Sequence, residues 1–145
     1  MLPLVEEAKS RYEFVLLDSA AGISSAFRLA KGLADMAVIV STWDASALRD
    51  GQRAAAMLFE EGIGEVRLLL NRIRPRLLRD STVTVDDLID AVGAQLLGIV
   101  PEDSAVPASV REELALALYG STGASRAFLR IAKRIGGEHI PLGKI

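Results

Sequence analysis

Four short apolar runs, each closed by polar residues, constrain what this chain of 145 residues can become. Phe14 to Leu17 ends in Asp18, Met36 to Val40 ends in Ser41-Thr42, Val66 to Leu70 ends in Asn71-Arg72, and Leu96 to Val100 ends in Pro101-Glu102-Asp103. Apolar runs of this length without polar alternation read as strands buried on both faces. The segments between them have helical spacing. Strands alternating with helices predict an α/β fold: a parallel sheet flanked by helices, joined by right-handed crossovers. Parallel strands place all four polar ends at one edge, which is where ligands bind in open α/β sheets. Asp18, followed by the small-residue turn Ser19-Ala20-Ala21-Gly22, is well placed there for a magnesium-bound water or a phosphate. Taken alone, it reads equally well as a turn or helix-cap aspartate.

In chain order, Leu4 to Arg11 reads as the end of a helix entering the first strand. Ala26, Leu29, Ala30 and Leu33 recur on one helical face after Gly22. Ser46 to Glu61 is helical, with Leu48, Ala55, Leu58 and Phe59 on one face and Gly62 where a C-terminal cap belongs. Ile73 to Ser81, with Arg74, Arg76 and Arg79 and the preceding Arg72, reads as a solvated loop in preference to a phosphate, membrane or partner contact. Thr84 with Asp87 forms an acidic variant of the capping box, and Gly93 closes that short helix. A last helix starts at Ser121 or Thr122, carries Ala124, Ala127, Phe128, Ile131 and Ile135 inward and Arg126, Arg130, Lys133 and Arg134 outward, and stops at Gly136-Gly137.

A hydrophobic fraction of 50% and a mean hydropathy of +0.30 suit buried parallel strands. A net charge of -2 gives no bulk attraction to nucleic acid or anionic lipid. With no cysteine, disulfides, thiolate zinc sites, iron-sulfur clusters and cysteine nucleophiles are excluded. No apolar run is long enough for a membrane span and no signal-peptide pattern opens the chain, so the expectation is a soluble, cytoplasmic protein. No linker or repeat divides it, and residues 1–145 are expected to form a single domain. Hydrolase chemistry has little support: there is no G-x-S-x-G, and His139 lies in the tail beside Pro141. Asp86-Asp87 and Glu112-Glu113 are adjacent on helices and point apart.

Asp18-Ser19-Ala20-Ala21-Gly22-Ile23 resembles the switch segment of the MinD/ParA family of P-loop ATPases. The resemblance continues through Ser46-Ala47-Leu48-Arg49-Asp50, Leu70-Asn71-Arg72-Ile73-Arg74-Pro75, Val85-Asp86-Asp87-Leu88, Leu97-Gly98-Ile99-Val100-Pro101-Glu102-Asp103 and the final helix with Gly137-Glu138. It covers essentially the whole chain and is closest in wording to the MinD branch, which selects the septum site. What it implies is ATP-dependent dimerisation and recruitment of a division inhibitor, with ATP and Mg2+ as cofactors of the complete protein. Asp18 would orient the magnesium shell and Gly22 would sense the γ-phosphate. Asn71, Arg72, Pro101, Glu102 and Asp103 would surround the adenine. The helix with Arg49 and Asp50 would face a second subunit, the division inhibitor or a topological regulator. Alternatives are a noncatalytic interaction module, or a relative serving chromosome partition or flagellar number.

The departures from the family pattern are specific. The sequence contains no G-x-x-x-x-G-K-[ST], whose amides and lysine hold phosphates. In the family that loop precedes the switch aspartate, so the chain is expected to be the C-terminal half of a MinD-like domain and not to hydrolyse ATP by itself. Without the loop's strand, the Asp18 strand and the Met36 strand should either pair directly or leave a gap that invites self-association or the missing half. Ala20 stands where proline is usual, and Gln52 where an acid is expected. Ile140 to Ile145, broken by Pro141 and Gly143, does not match the amphipathic helix by which complete family members bind membranes.

Overall fold

The computed structural model describes residues 2–19 and 32–142. Helix α1 (Leu2–Arg11) leads into an irregular stretch, followed by β1 (Met36–Ser41), α2 (Ala45–Glu60) and β2 (Glu65–Ile73). Then come α3 (Pro75–Asp80), α4 (Val85–Val92), β3 (Gln95–Pro101), α5 (Ala105–Arg111), α6 (Leu116–Tyr119) and α7 (Gly123–Ile135). The three strands form one parallel sheet in the order β1-β2-β3. Its register sets Met36 opposite Glu65 and Ser41 opposite Leu70, then Leu70 opposite Ile99 and Ile73 opposite Pro101.

Two cores sandwich the sheet. On one face α2 and α4 bury Ala55, Leu58, Leu88 and Val92 against Ile39, Leu68, Leu70 and Ile73. On the other, Ala124, Ala127 and Ile131 of α7 pack on Leu69, Leu97 and Val100. The central strand is therefore closed on both sides, and Leu68 and Leu70 have no solvent exposure. Gly98 is what lets α7 come so near. A Cβ at that position would lie 2.5 Å from Ile131 Cγ1 and 2.8 Å from its Cδ1.

Caps fix the helix ends as their sequences dictate. The Asp44 carboxylate accepts the Ala47 N–H at 3.0 Å and the Thr42 hydroxyl, starting α2. Thr84 and Asp87 form the reciprocal box, and Gly93 ends α4 in the left-handed region at φ 75°. Thr122 caps α7 by accepting the Ser125 N–H at 3.2 Å.

Several expectations need correction. Residues 14–19 do not form a strand: they are irregular, with Phe14 54% and Leu16 87% exposed. A strand is stable only with a hydrogen-bonded neighbour, and β1 does not pair with this segment. Among the described residues, direct pairing of this segment with β1 is therefore not seen. Three strands rather than four therefore make the described sheet. β1 is also buried on one face only, since Ile39 and Ser41 point into the α2 core while Val38 and Val40 stand exposed. The expected solvated loop over 73–81 is instead the end of β2 followed by α3, which Pro75 opens at a position where its fixed φ favours a helix. Phe59 and Phe128, expected inward, are 47% and 40% exposed. The expected helix around Ala26, Leu29 and Ala30 lies outside the described residues, although Leu33 just beyond it is buried. Among the described residues, no helix is long and apolar enough to cross a membrane.

Candidate functional site at the carboxyl edge of the sheet

Because β1, β2 and β3 are parallel, Ser41-Thr42, Asn71-Arg72 and Pro101-Glu102-Asp103 emerge at one edge. The Glu102 N–H donates to the Ile73 carbonyl at 2.9 Å, tying the exit of β3 to the end of β2. The register slips between Leu70 and Ile73, and within that irregularity Arg72 takes the left-handed conformation at φ 56°. A side chain rarely adopts this conformation. The Arg72 N–H donates to Asn71 Oδ1 at 3.0 Å, a local bond that supports the turn.

Glu102 is the electrostatic hub. Arg74 grips its carboxylate through Nε and, at 3.3 Å, through Nη2, and Arg72 approaches through Nη2 at 3.4 Å. The Arg74 hydrogen bond holds the Glu102 carboxyl below its ordinary range against burial, which acts to raise it, and the same pairing raises Arg74. The sequence alone places Arg74 in a solvated loop. No local spacing signals it, because the left-handed Arg72 and the end of β2 at Ile73 break the strand alternation before Arg74.

Asp103 has a different task. Its Oδ2 accepts the Ala124 N–H at 3.0 Å and its Oδ1 the Ala105 N–H at 2.9 Å, so one carboxylate joins the starts of α7 and α5. The Ala124 bond first, then the Ala105 bond, hold its carboxyl below the ordinary range. Ser41 is buried and its hydroxyl donates to the Thr42 carbonyl at 3.2 Å, while the Thr42 hydroxyl is spent on Asp44. Neither hydroxyl is offered freely to a ligand.

The structure thus brings Asn71, Arg72, Pro101, Glu102 and Asp103 together. Asp18 is exposed in the irregular segment rather than delivered by a strand, and Gly22 lies outside the described residues. Among the described residues, no group of three or more acidic or histidine side chains could hold a metal ion. The edge residues named above include no lysine, and no glycine-rich phosphate loop is present in the sequence. The described residues therefore do not by themselves fit the triphosphate and magnesium of Mg-ATP.

On α2, Arg49, Asp50, Gln52 and Arg53 are all exposed. They form an accessible charged face.

No family model matches the chain. It is 34% identical to the septum site-determining protein MinD of Synechocystis sp. over 143 residues, 97% of this chain and 54% of that protein. To MinD of Bacillus subtilis it is 36% identical over 141 residues, 96% of this chain and 53% of that protein. The chain thus spans about half the length of the curated relatives it matches. Among solved structures, the MinC:MinD cell division protein complex of Aquifex aeolicus matches with a TM-score of 0.91 and 31% identity, covering 98% of this chain and 60% of that one. The parallel sheet flanked by helices matches the fold of MinD, and with sequence similarity along nearly the whole chain it makes this protein a homologue of the MinD/ParA-family ATPases.

Proposed function

We propose that residues 1–145 are the C-terminal part of a MinD-like ATPase domain that acts in cell-division site selection. The observation carrying this reading is the similarity to MinD along 96% or more of the chain in two distant organisms. In this reading, Asn71, Arg72 and the Pro101 to Asp103 turn make the adenine wall of a nucleotide site. Asp18 orients the magnesium shell, Gly22 responds to the γ-phosphate, and a phosphate-binding loop comes from another segment. The chain alone does not hydrolyse ATP. Mg-ATP drives dimerisation of the complete assembly, which acts in the cytoplasm and reaches the membrane only when complete.

The similarity to MinD in complex with MinC supports a division inhibitor as partner, and the exposed α2 face with Arg49 and Asp50 is the surface proposed to receive it or a topological regulator. The test is co-sedimentation of a purified division inhibitor with this chain plus a phosphate-loop-bearing MinD half. Retention that requires Mg-ATP and is lost in Arg49→Glu supports the reading. DNA binding without inhibitor binding would instead indicate a chromosome-partition relative. A second reading, a noncatalytic interaction module, is favoured by the absence of a metal-holding cluster among the described residues. It expects inhibitor retention without nucleotide.

A further inference from the structure

Beside Pro101, a groove of about 560 Å3 runs along α7 against the outer side of β3. Its floor is Gly98 and Ile99, and its wall carries Arg126, Arg130 and Arg134. β3 is an edge strand of the described sheet, so its side away from β2 has no strand partner there. Among the described residues, no acidic side chain lines this groove, although the chain as a whole has a net charge of -2.

The three arginines are not equivalent. Arg126 donates to the Ser121 carbonyl at 2.9 Å. Arg134 is anchored by donating to the Leu97 carbonyl and, at 2.8 Å, to the Ile140 carbonyl, while its Nη2 is buried without an acceptor. Burial first, and the neighbouring Arg130 charge second, lower the pKa of Arg134. The groove therefore holds guanidiniums that repel one another, one of them with an unmet donor. An anion would relieve both conditions.

The spacing selects the kind of anion. Residues four apart on a helix rise about 6 Å, so the three arginines extend over roughly 12 Å, too long for one phosphate or carboxylate. Alternate residues of an extended chain rise about 6.7 Å, which nearly matches the step between successive arginines. An exposed strand edge is also a common seat for an extended peptide. A flat bilayer surface cannot enter a recessed groove to reach Arg134. We propose that the groove between α7 and β3 binds an extended acidic peptide segment of a partner protein, with alternate carboxylates seated on Arg126, Arg130 and Arg134.

This binding requires no nucleotide and is independent of the proposed function. It is tested with the full chain by fluorescence anisotropy of a short labelled peptide of alternating glutamate and valine. The expected result is saturable binding, weakened about tenfold or more by Arg130→Glu and by Arg126→Glu, because each removes a charge-assisted contact and adds repulsion. Arg111→Glu, the same charge change on exposed α5, should leave it unchanged. Circular dichroism of Arg130→Glu checks that α7 remains folded. The proposal is overturned if the native chain does not bind the peptide or if a lysine-valine peptide binds equally. It is also overturned if Arg111→Glu weakens binding as much, if inorganic phosphate at matched ionic strength displaces the peptide completely, or if phosphatidylglycerol vesicles take the chain up in an Arg130-dependent way while the peptide does not.

Discussion

At the scale of single residues, Asp103 carries the most structural responsibility at the candidate edge. It accepts one N–H from the start of α7 and one from the start of α5, and it is only partly exposed. Asp103→Ala should destabilise the fold by about 1–2 kcal/mol, the usual cost of losing a capping carboxylate, read as a lower urea midpoint. Because folding depresses its pKa, the stability Asp103 contributes is complete above the ordinary carboxyl range and is lost as pH falls through the folded value. The urea midpoint of the native chain should therefore drop as pH is lowered below about 4, and Asp103→Asn should flatten that part of the profile. The sequence reveals that Pro101 to Asp103 terminates a strand at the candidate edge. It does not reveal that Asp103 is engaged by α5 and α7, because those partners are 2 and 21 positions away and only the packed fold brings both to one carboxylate. The Arg72 and Arg74 clamp on Glu102 escapes sequence reading for the same reason, being a contact across about thirty positions.

At the scale of elements, periodicity and capping residues locate β1, β2, β3, α2, α4 and α7, because their signals are local. Phe14 to Leu17 defeats the same reasoning. Its composition suits a strand, but a strand exists only through its neighbour, and the described sheet gives it none. Likewise, a continuous apolar run such as Met36 to Val40 cannot say whether one face or two will be covered. The contact between β3 and α7 depends on one position. Gly98→Ala should destabilise the protein by about 1–3 kcal/mol, since the new methyl group meets Ile131 Cγ1, an atom close to the α7 backbone rather than a flexible tip. Combining it with Ile131→Ala should cost less than the sum of the two single changes, and a thermal or urea melt of the four proteins measures that coupling.

At the scale of the whole molecule, the open side of β1 is the main exposed liability. Val38 is 39% and Val40 60% exposed on a strand whose outer edge has no partner in the described sheet, and Phe14 and Leu16 are exposed as well. Such an edge favours association. Sedimentation velocity should show concentration-dependent self-association that is reduced by Val38→Lys with Val40→Lys. In the proposed function this chain forms one wall of a nucleotide site and takes its phosphate loop from another segment, a reading that rests on the similarity to MinD. The most direct test is Mg-ATP turnover by this chain, by a phosphate-loop-bearing MinD half, and by the two mixed. The account predicts hydrolysis only in the mixture and its loss with Asp18→Asn. Hydrolysis by this chain alone, or a mixture in which both halves fold and associate yet neither binds nor turns over nucleotide, would contradict it.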